Sequence, residues 1–142
     1  MSDDAFEMSK LLVELLHVGG YGRAQGGRDA AALSPNAIRA AIEIYQHGEV
    51  TVSQLATALS ISQGWASRLT DEMEQRGYLE RERDPRDRRI VRLRLPEPAV
   101  EAVERSYRWR GEVVEAALNG LTARERELVR HFLEHVVEGL RG

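Results

Sequence analysis

The stretch Thr51-Val52-Ser53-Gln54-Leu55-Ala56-Thr57-Ala58-Leu59-Ser60-Ile61-Ser62-Gln63-Gly64-Trp65-Ala66-Ser67-Arg68-Leu69-Thr70-Asp71-Glu72-Met73-Glu74-Gln75-Arg76-Gly77 sets the architecture. Leu55, Ala56 and Leu59 recur at helical spacing behind Thr51 or Ser53, either of which can cap a helix. Ser60-Ile61-Ser62 is a tight connection. A second helix follows from about Gln63 to Arg76 and stops at Gly77, a natural C-terminal cap. Two short helices around a tight turn read as a helix-turn-helix. The second helix has an inner face of Ala66, Leu69 and Met73. Its outer face carries Gln63, Gly64, Ser67, Arg68 and Asp71, polar and small at its start, so the helix end can enter a duplex major groove. Arg68 suits guanine edges, at about 1–3 kcal/mol of discrimination for a good bidentate contact. Gln63 suits adenine, and Ser67 a phosphate or a base.

Downstream, the period changes. Tyr78 to Arg83 reads as extended, Asp84-Pro85-Arg86-Asp87 has strong turn chemistry, and Arg89 to Leu95 alternates between the two faces of a strand. The result is a hairpin whose turn concentrates Arg86, Arg88 and Arg89. Arginines on such a wing suit the negative potential of an adjacent minor groove. Asp87 fits there as an orienting partner, holding one arginine by a charge-assisted hydrogen bond.

Upstream, Ser34-Pro35 opens a helix with Ile38, Ala41, Ile42 and Tyr45 expected on its inner face, ending at His47-Gly48. Glu49-Val50-Thr51 is a short extended piece. A first helix is expected from about Ala5 to Val18, followed by a glycine-rich stretch from Gly19 to Gly27 that reads as a linker. It lacks the preceding strand and the ending of a phosphate loop. Past the hairpin, Pro96 and Pro98 lead into a long helix from about Pro98 to Leu118, closed by Asn119-Gly120. Thr122 and Glu125 have capping-box spacing before a final amphipathic helix. Both terminal helices carry apolar stripes too large for the small middle core, so a symmetric homodimer is expected. Leu11, Leu12, Leu15, Phe132, Leu133, Val136 and Leu140 are the candidate interface residues.

Charge agrees with a nucleic-acid partner only locally. The 142 residues carry a net charge of −3, yet Arg76 to Arg94 holds eight arginines against Glu80, Glu82, Asp84 and Asp87, a balance of +4. A basic segment on an acidic body can bind phosphates while the remainder stays well solvated. The chain has no cysteine, which removes disulfides, thiolate metal sites and cysteine nucleophiles. No apolar run reaches a membrane-spanning length, and the acidic start Met1-Ser2-Asp3-Asp4 has the wrong sign for a secretion or transit peptide. A cytoplasmic protein is expected. No nucleophile elbow, phosphate loop or placed carboxylate pair is present, so no enzyme, catalytic residue or cofactor is expected.

The helix-turn-helix, the run Ser67-Arg68-Leu69-Thr70-Asp71-Glu72-Met73-Glu74-Gln75-Arg76-Gly77-Tyr78-Leu79-Glu80-Arg81, and the wing Asp84-Pro85-Arg86-Asp87-Arg88-Arg89 resemble the multiple-antibiotic-resistance regulator (MarR) family. The likeness extends from Leu33 over nearly the whole remaining chain, and the Asp-x-Arg-Asp-x-Arg wing is its most specific part. The resemblance implies an α+β, mostly helical, winged helix-turn-helix with N- and C-terminal dimerisation helices. It implies a repressor bound to double-stranded DNA, with release by a small aromatic or anionic effector. Tyr107, Arg108 and Trp109 are the candidate ligand cleft. The sequence departs from the family at Leu95-Pro96-Glu97-Pro98, where Leu-Thr and a glycine are usual, at Glu72, often basic, and at Trp65, often small and polar. Trp65 has three open roles: contact with DNA, lining of a ligand cleft, or partial burial against the preceding helix.

The expected organisation is a single domain over 1–142: an N-terminal dimerisation helix and linker (1–32), a DNA-binding lobe (33–96) and C-terminal dimerisation helices (97–142). Two other readings are carried forward. One is a winged helix that binds protein and lacks DNA affinity. The other is a zinc-responsive regulator, because His131 and His135 are one helical turn apart.

Overall fold

The computed structural model describes residues 1–18 and 34–142; the stretch from Gly19 to Gly27, read above as a linker, lies outside them. The described elements are α1 (Asp3–Val18), α2 (Pro35–His47), β1 (Val50–Thr51), α3 (Val52–Leu59), α4 (Gln63–Gln75), β2 (Glu80–Arg83), β3 (Val91–Arg94), α5 (Glu97–Leu118) and α6 (Ala123–Arg141). They fall into two compact units, Met1–Tyr107 and Arg108–Gly142. The mostly helical α+β winged helix expected from the sequence is the fold observed.

Caps written in the sequence set the helix starts. The Ser34 hydroxyl accepts from the Ala37 amide ahead of Pro35. Thr51 and Gln54 form a reciprocal capping box at α3, and Ser62 accepts from Trp65 N–H at α4. Each satisfies amide donors that a helix start leaves unpaired. At the end of α4, Tyr78 N–H donates to the Met73 carbonyl and Gly77 N–H to that of Glu74. Gly77 has φ +77°, which glycine adopts without the penalty a Cβ would bring. The chain thereby leaves the helix directly into β2.

The core of the first unit joins Ala37, Ala40, Ala41 and Ile44 of α2 to Leu55 and Leu59 of α3, Leu69 and Met73 of α4, Leu79, Leu93 of β3 and Val103 of α5. The inward face of α2 buries Ile38 and Ala41 as expected, and adds Ala37, Ala40 and Ile44 in place of Tyr45. Ile44 is fully buried, while Tyr45 lies outside the core. Three alanines let α2 approach its neighbours closely, so the helix packs on the alanine side. The Tyr45 hydroxyl is left to donate to Glu104 Oε1 at 3.3 Å.

The expected two-stranded hairpin is a three-stranded antiparallel sheet in the order β1-β3-β2. Val50 pairs with Leu93 and Thr51 with Arg92 on one side; Glu80 pairs with Arg94 and Arg83 with Val91 on the other. β3 is therefore central, which is why Leu93 is fully buried. The strand begins at Val91, two residues after the expected start. The turn between β2 and β3 runs through Ile90, tied by Asp84 N–H to the Ile90 carbonyl at 2.9 Å and Ile90 N–H to that of Asp87 at 3.0 Å.

Amides of Ala99 and Val100 donate to the Pro96 carbonyl at the start of α5; the helix begins at Glu97, one residue before the expected position. In the second unit, the Thr122–Glu125 capping box opens α6, and Arg126 pairs with Glu115 at 3.6 Å. No residue of α6 is buried. Phe132, Leu133, Val137 and Leu140 all face outward, as do Leu11 and Leu15 of α1. Among the described residues no helix is long and apolar enough to cross a membrane.

Candidate nucleic-acid interface

Helix α4 is seated by Ala66, Leu69, Thr70 and Met73, all buried, which turns the opposite side outward. Gln63, Gly64, Trp65, Arg68 and Asp71 are exposed there, and Ser67 is half-buried. Trp65 retains 45% exposure, so the preceding helix covers only part of its ring. Added volume at Gly64 would meet nothing within 4 Å, and the first turn of α4 is open to an incoming molecule. Gln63 Nε2 donates to Ser53 Oγ of α3 at 2.6 Å.

The arginines divide into two groups. Arg68, Arg83, Arg86 and Arg88 have no ion-pair partner among the described residues. Arg76, Arg81, Arg92 and Arg94 hold the lobe together. Arg94 sits between Glu49, Glu80 and Glu82 at 3.5–4.0 Å, Arg92 meets Asp84 at 3.1 Å, and Arg76 meets Glu72 at 3.2 Å. Arg81 reaches back from β2 to α4, donating to the Thr70 hydroxyl at 2.8 Å and to the Asp71 carboxylate. Its Nε also lies 3.6 Å from Glu74. Thr70 in turn donates to the Ala66 carbonyl at 2.9 Å. Arg81 thus clamps the wing's first strand to α4. Asp71, a candidate DNA contact in the sequence, is engaged in that clamp.

Two aspartates shape the wing tip. Asp84 Oδ1 accepts from the amides of Arg86 at 2.7 Å and Asp87 at 3.2 Å, while its Oδ2 accepts from Arg92. The backbone bond from Arg86 first, and Arg92 next, hold the Asp84 carboxyl below the ordinary carboxylate range. Asp87 takes a two-point contact from Arg89, Nε to Oδ1 at 3.0 Å and Nη2 to Oδ2 at 3.2 Å, and also accepts its amide. That contact likewise lowers the Asp87 pKa. Arg89 nevertheless keeps 90% of its side chain exposed. It is oriented at one edge and open on the rest. Sequence reasoning found Asp87 but missed the roles of Asp84 and Arg81. The Asp-Pro turn signal marked Asp84's position; nothing local marked Arg81.

Tyr107 stacks obliquely on Tyr45, ring centroids 5.8 Å apart, and its hydroxyl accepts from Gln46 at 3.4 Å. Burial first, then the Glu104 carboxylate, raises the Tyr45 pKa. Arg108 and Trp109 belong to the second unit and are exposed. On α6, His135 Nδ1 donates to the His131 carbonyl at 2.7 Å, and His131 faces Glu134 at 3.5 Å. Among the described residues no three histidine or carboxylate side chains gather as a metal-binding group.

Comparison with known proteins bears on the same segment. Residues 33–91 match the model of the MarR family. An uncharacterized HTH-type transcriptional regulator of Bacillus subtilis, YwhA, is 30% identical over 84 residues, 59% of this chain and 60% of that protein. The transcriptional repressor MprA of Escherichia coli is 38% identical over 56 residues, 39% of this chain and 32% of that one. The chain's matches span about half the length of the curated relatives. The crystal structure of Streptococcus pneumoniae FabT in complex with DNA shares the fold at a TM-score of 0.77 and 22% identity. That likeness covers 96% of this chain and 94% of FabT. The segment that matches the MarR family model is the one that folds as the winged helix of α2 to β3.

Proposed function

We propose that the chain is a sequence-specific regulator of transcription that binds duplex DNA as a homodimer and acts as a repressor. One observation carries the reading. The unpaired Arg68 on the outer face of α4 and the exposed Arg86, Arg88 and Arg89 at the wing tip belong to one lobe, in which Arg76, Arg81, Arg92 and Arg94 are neutralised by carboxylates. In this reading the first turn of α4 enters a major groove, where Gln63, Ser67 and Arg68 meet bases or phosphates, and the wing meets the neighbouring minor groove. FabT, which shares the fold, has been crystallised with DNA, and MprA is named a repressor.

The uncovered apolar stripes of α1 and α6 support a dimer, since faces of that kind rarely remain in water. A two-fold dimer would bind a pseudo-palindrome with half-sites about one helical turn apart. Selection from a random duplex library, followed by fluorescence anisotropy, tests the proposal. The expected result is a palindromic site bound far more tightly than scrambled duplex. Arg68→Ala should relax one base preference, and Arg89→Ala should weaken all sequences more evenly. Equal binding of site and scramble sinks the reading. Release by a small aromatic or anionic ligand is the finer part of the proposal and rests on the family resemblance. Titrating aromatic acids into the DNA complex without dissociation counts against it.

A further inference from the structure

We infer that Ser53 is a positioning residue for base recognition: its hydroxyl holds the Gln63 amide in the attitude in which that amide meets a base edge. The inference rests on the DNA-binding reading above. Gln63 is the first residue of α4 and Ser53 the second of α3. Both are exposed, yet Nε2 donates to Oγ at 2.6 Å across the helix-turn-helix. Among the described residues this is the one side-chain hydrogen bond between the two helices, and it involves the residue best placed to read a base.

The chemistry of the amide makes the contact consequential. A glutamine amide offers two N–H donors and one carbonyl oxygen. With one donor occupied by Ser53, the second donor and Oε1 remain side by side. That pair matches the N7 acceptor and N6 donor on the major-groove edge of adenine. An unheld glutamine at a helix start must give up side-chain rotation before making both bonds, and it can turn its amide over to suit a different base. Ser53 removes that freedom in the unbound protein, so that less ordering is left for the moment of binding. The hydroxyl has no other assigned task. Thr57 takes the Ser53 carbonyl, not its side chain, and the α3 cap is made by Thr51 and Gln54.

The full-length protein and its Ser53→Ala, Ser53→Thr and Gln63→Ala variants should each be carried through selection from a random duplex library. Competition binding then gives base preference position by position. Gln63→Ala is expected to flatten a preference for adenine at one position per half-site, about tenfold in the parent. Ser53→Ala should reduce that same preference roughly threefold or more, leaving other positions unchanged. Ser53→Thr, which keeps a hydroxyl, should retain it. All variants should melt within a degree or two of the parent, because both side chains are exposed. A Ser53→Ala variant with the parent's preference at the Gln63 position overturns the inference, as does one weakened equally at every position. A Gln63→Ala variant with unchanged preferences overturns it too. A parent that enriches no sequence overturns the DNA-binding reading itself; the parent's selected site tells the two failures apart.

Discussion

The division of arginines into open and neutralised groups makes a quantitative prediction about salt. Each phosphate neutralised by a bound cation releases counterions, and log affinity falls with log salt at a slope of about −0.9 per contact. The proposed DNA contacts Arg68, Arg86, Arg88 and Arg89 number four in each lobe, so the proposed dimer offers eight. If all reach phosphates or a groove, the slope is about −7, and raising salt from 50 to 200 mM weakens binding about 10⁴-fold. Arg86→Ala removes one contact per lobe and should make the slope shallower by about 2. Arg94→Ala is the internal control. Its charge is already balanced by Glu49, Glu80 and Glu82, so the slope should hold within error. Exposed pairs of this kind contribute about 0–1 kcal/mol to stability, so that variant should still fold. Anisotropy across a salt series measures both slopes. A parent slope shallower than about −3, or equal slopes for the two variants, refutes the partition.

Other variants test the scaffold. Leu93→Ala empties a fully buried site on the central strand and should lower unfolding stability by about 2–5 kcal/mol in a denaturant titration. Thr122→Ala removes the reciprocal cap of α6 and should cost about 1 kcal/mol by the same assay. Phe132→Asp places a charge on the exposed apolar stripe of α6; light scattering should show monomer where the parent is dimeric, and an unchanged mass contradicts the proposed interface. Asp84 has a lowered folded pKa, so its contribution is present above the ordinary carboxylate range and is lost as pH falls through the lowered value. Protection of the Arg86 and Asp87 amides from exchange, relative to their intrinsic rates, should therefore fall as pH drops below the ordinary carboxylate range, and Asp84→Ala should abolish that pH dependence.

Much of the fold was legible because its punctuation is local. Ser34, Thr51, Ser62 and Thr122 announce helix starts through a side-chain oxygen that satisfies nearby amides, and Gly77 announces an end through a backbone angle. Longer-range outcomes were not legible. β1 has two residues and pairs with β3 some forty positions away, so no pattern within either segment reveals the third strand. On α2, Ile38, Ala41, Ile42 and Tyr45 form an acceptable stripe, but so do Ala37, Ala40, Ala41 and Ile44. Close helix approach favours the face with small residues, which a count of large apolar side chains misses. The placement of Gln63, Arg68 and the wing arginines on the outer face of α4 and at the turn was legible from spacing and turn chemistry. Which of those arginines are open was not, because strand register decides it.

That register explains how a chain of net charge −3 can present a basic surface. The eight arginines between Arg76 and Arg94 read as one basic tract, but their positions separate their roles. Pairing of Glu80 with Arg94 and Glu82 with Arg92 brings acids beside the strand arginines. There Arg94 joins Glu80 and Glu82, while Arg92 turns to Asp84. Arg81 is drawn to Thr70, Asp71 and Glu74, fixing the wing to α4. Acids on the C-terminal half of α4 thus serve the lobe's shape and would repel phosphates. Contact falls to the N-terminal turn of the helix and to the tip of the wing. A shift of β2 by one residue would turn Glu80 and Glu82 to the other face and leave Arg94 uncompensated. The same composition would then carry a diffuse positive charge along the sheet. The observed register instead leaves the open guanidinium groups at the turn, at Arg83 on the strand end beside it, and at Arg68, places held in relation by the Arg81 clamp. Arg81→Gln, which breaks that clamp, should weaken DNA binding more in the parent than in an Arg89→Ala background, because the clamp matters most when the wing has a contact to make. Equal losses in the two backgrounds would mean that Arg81 supports folding alone.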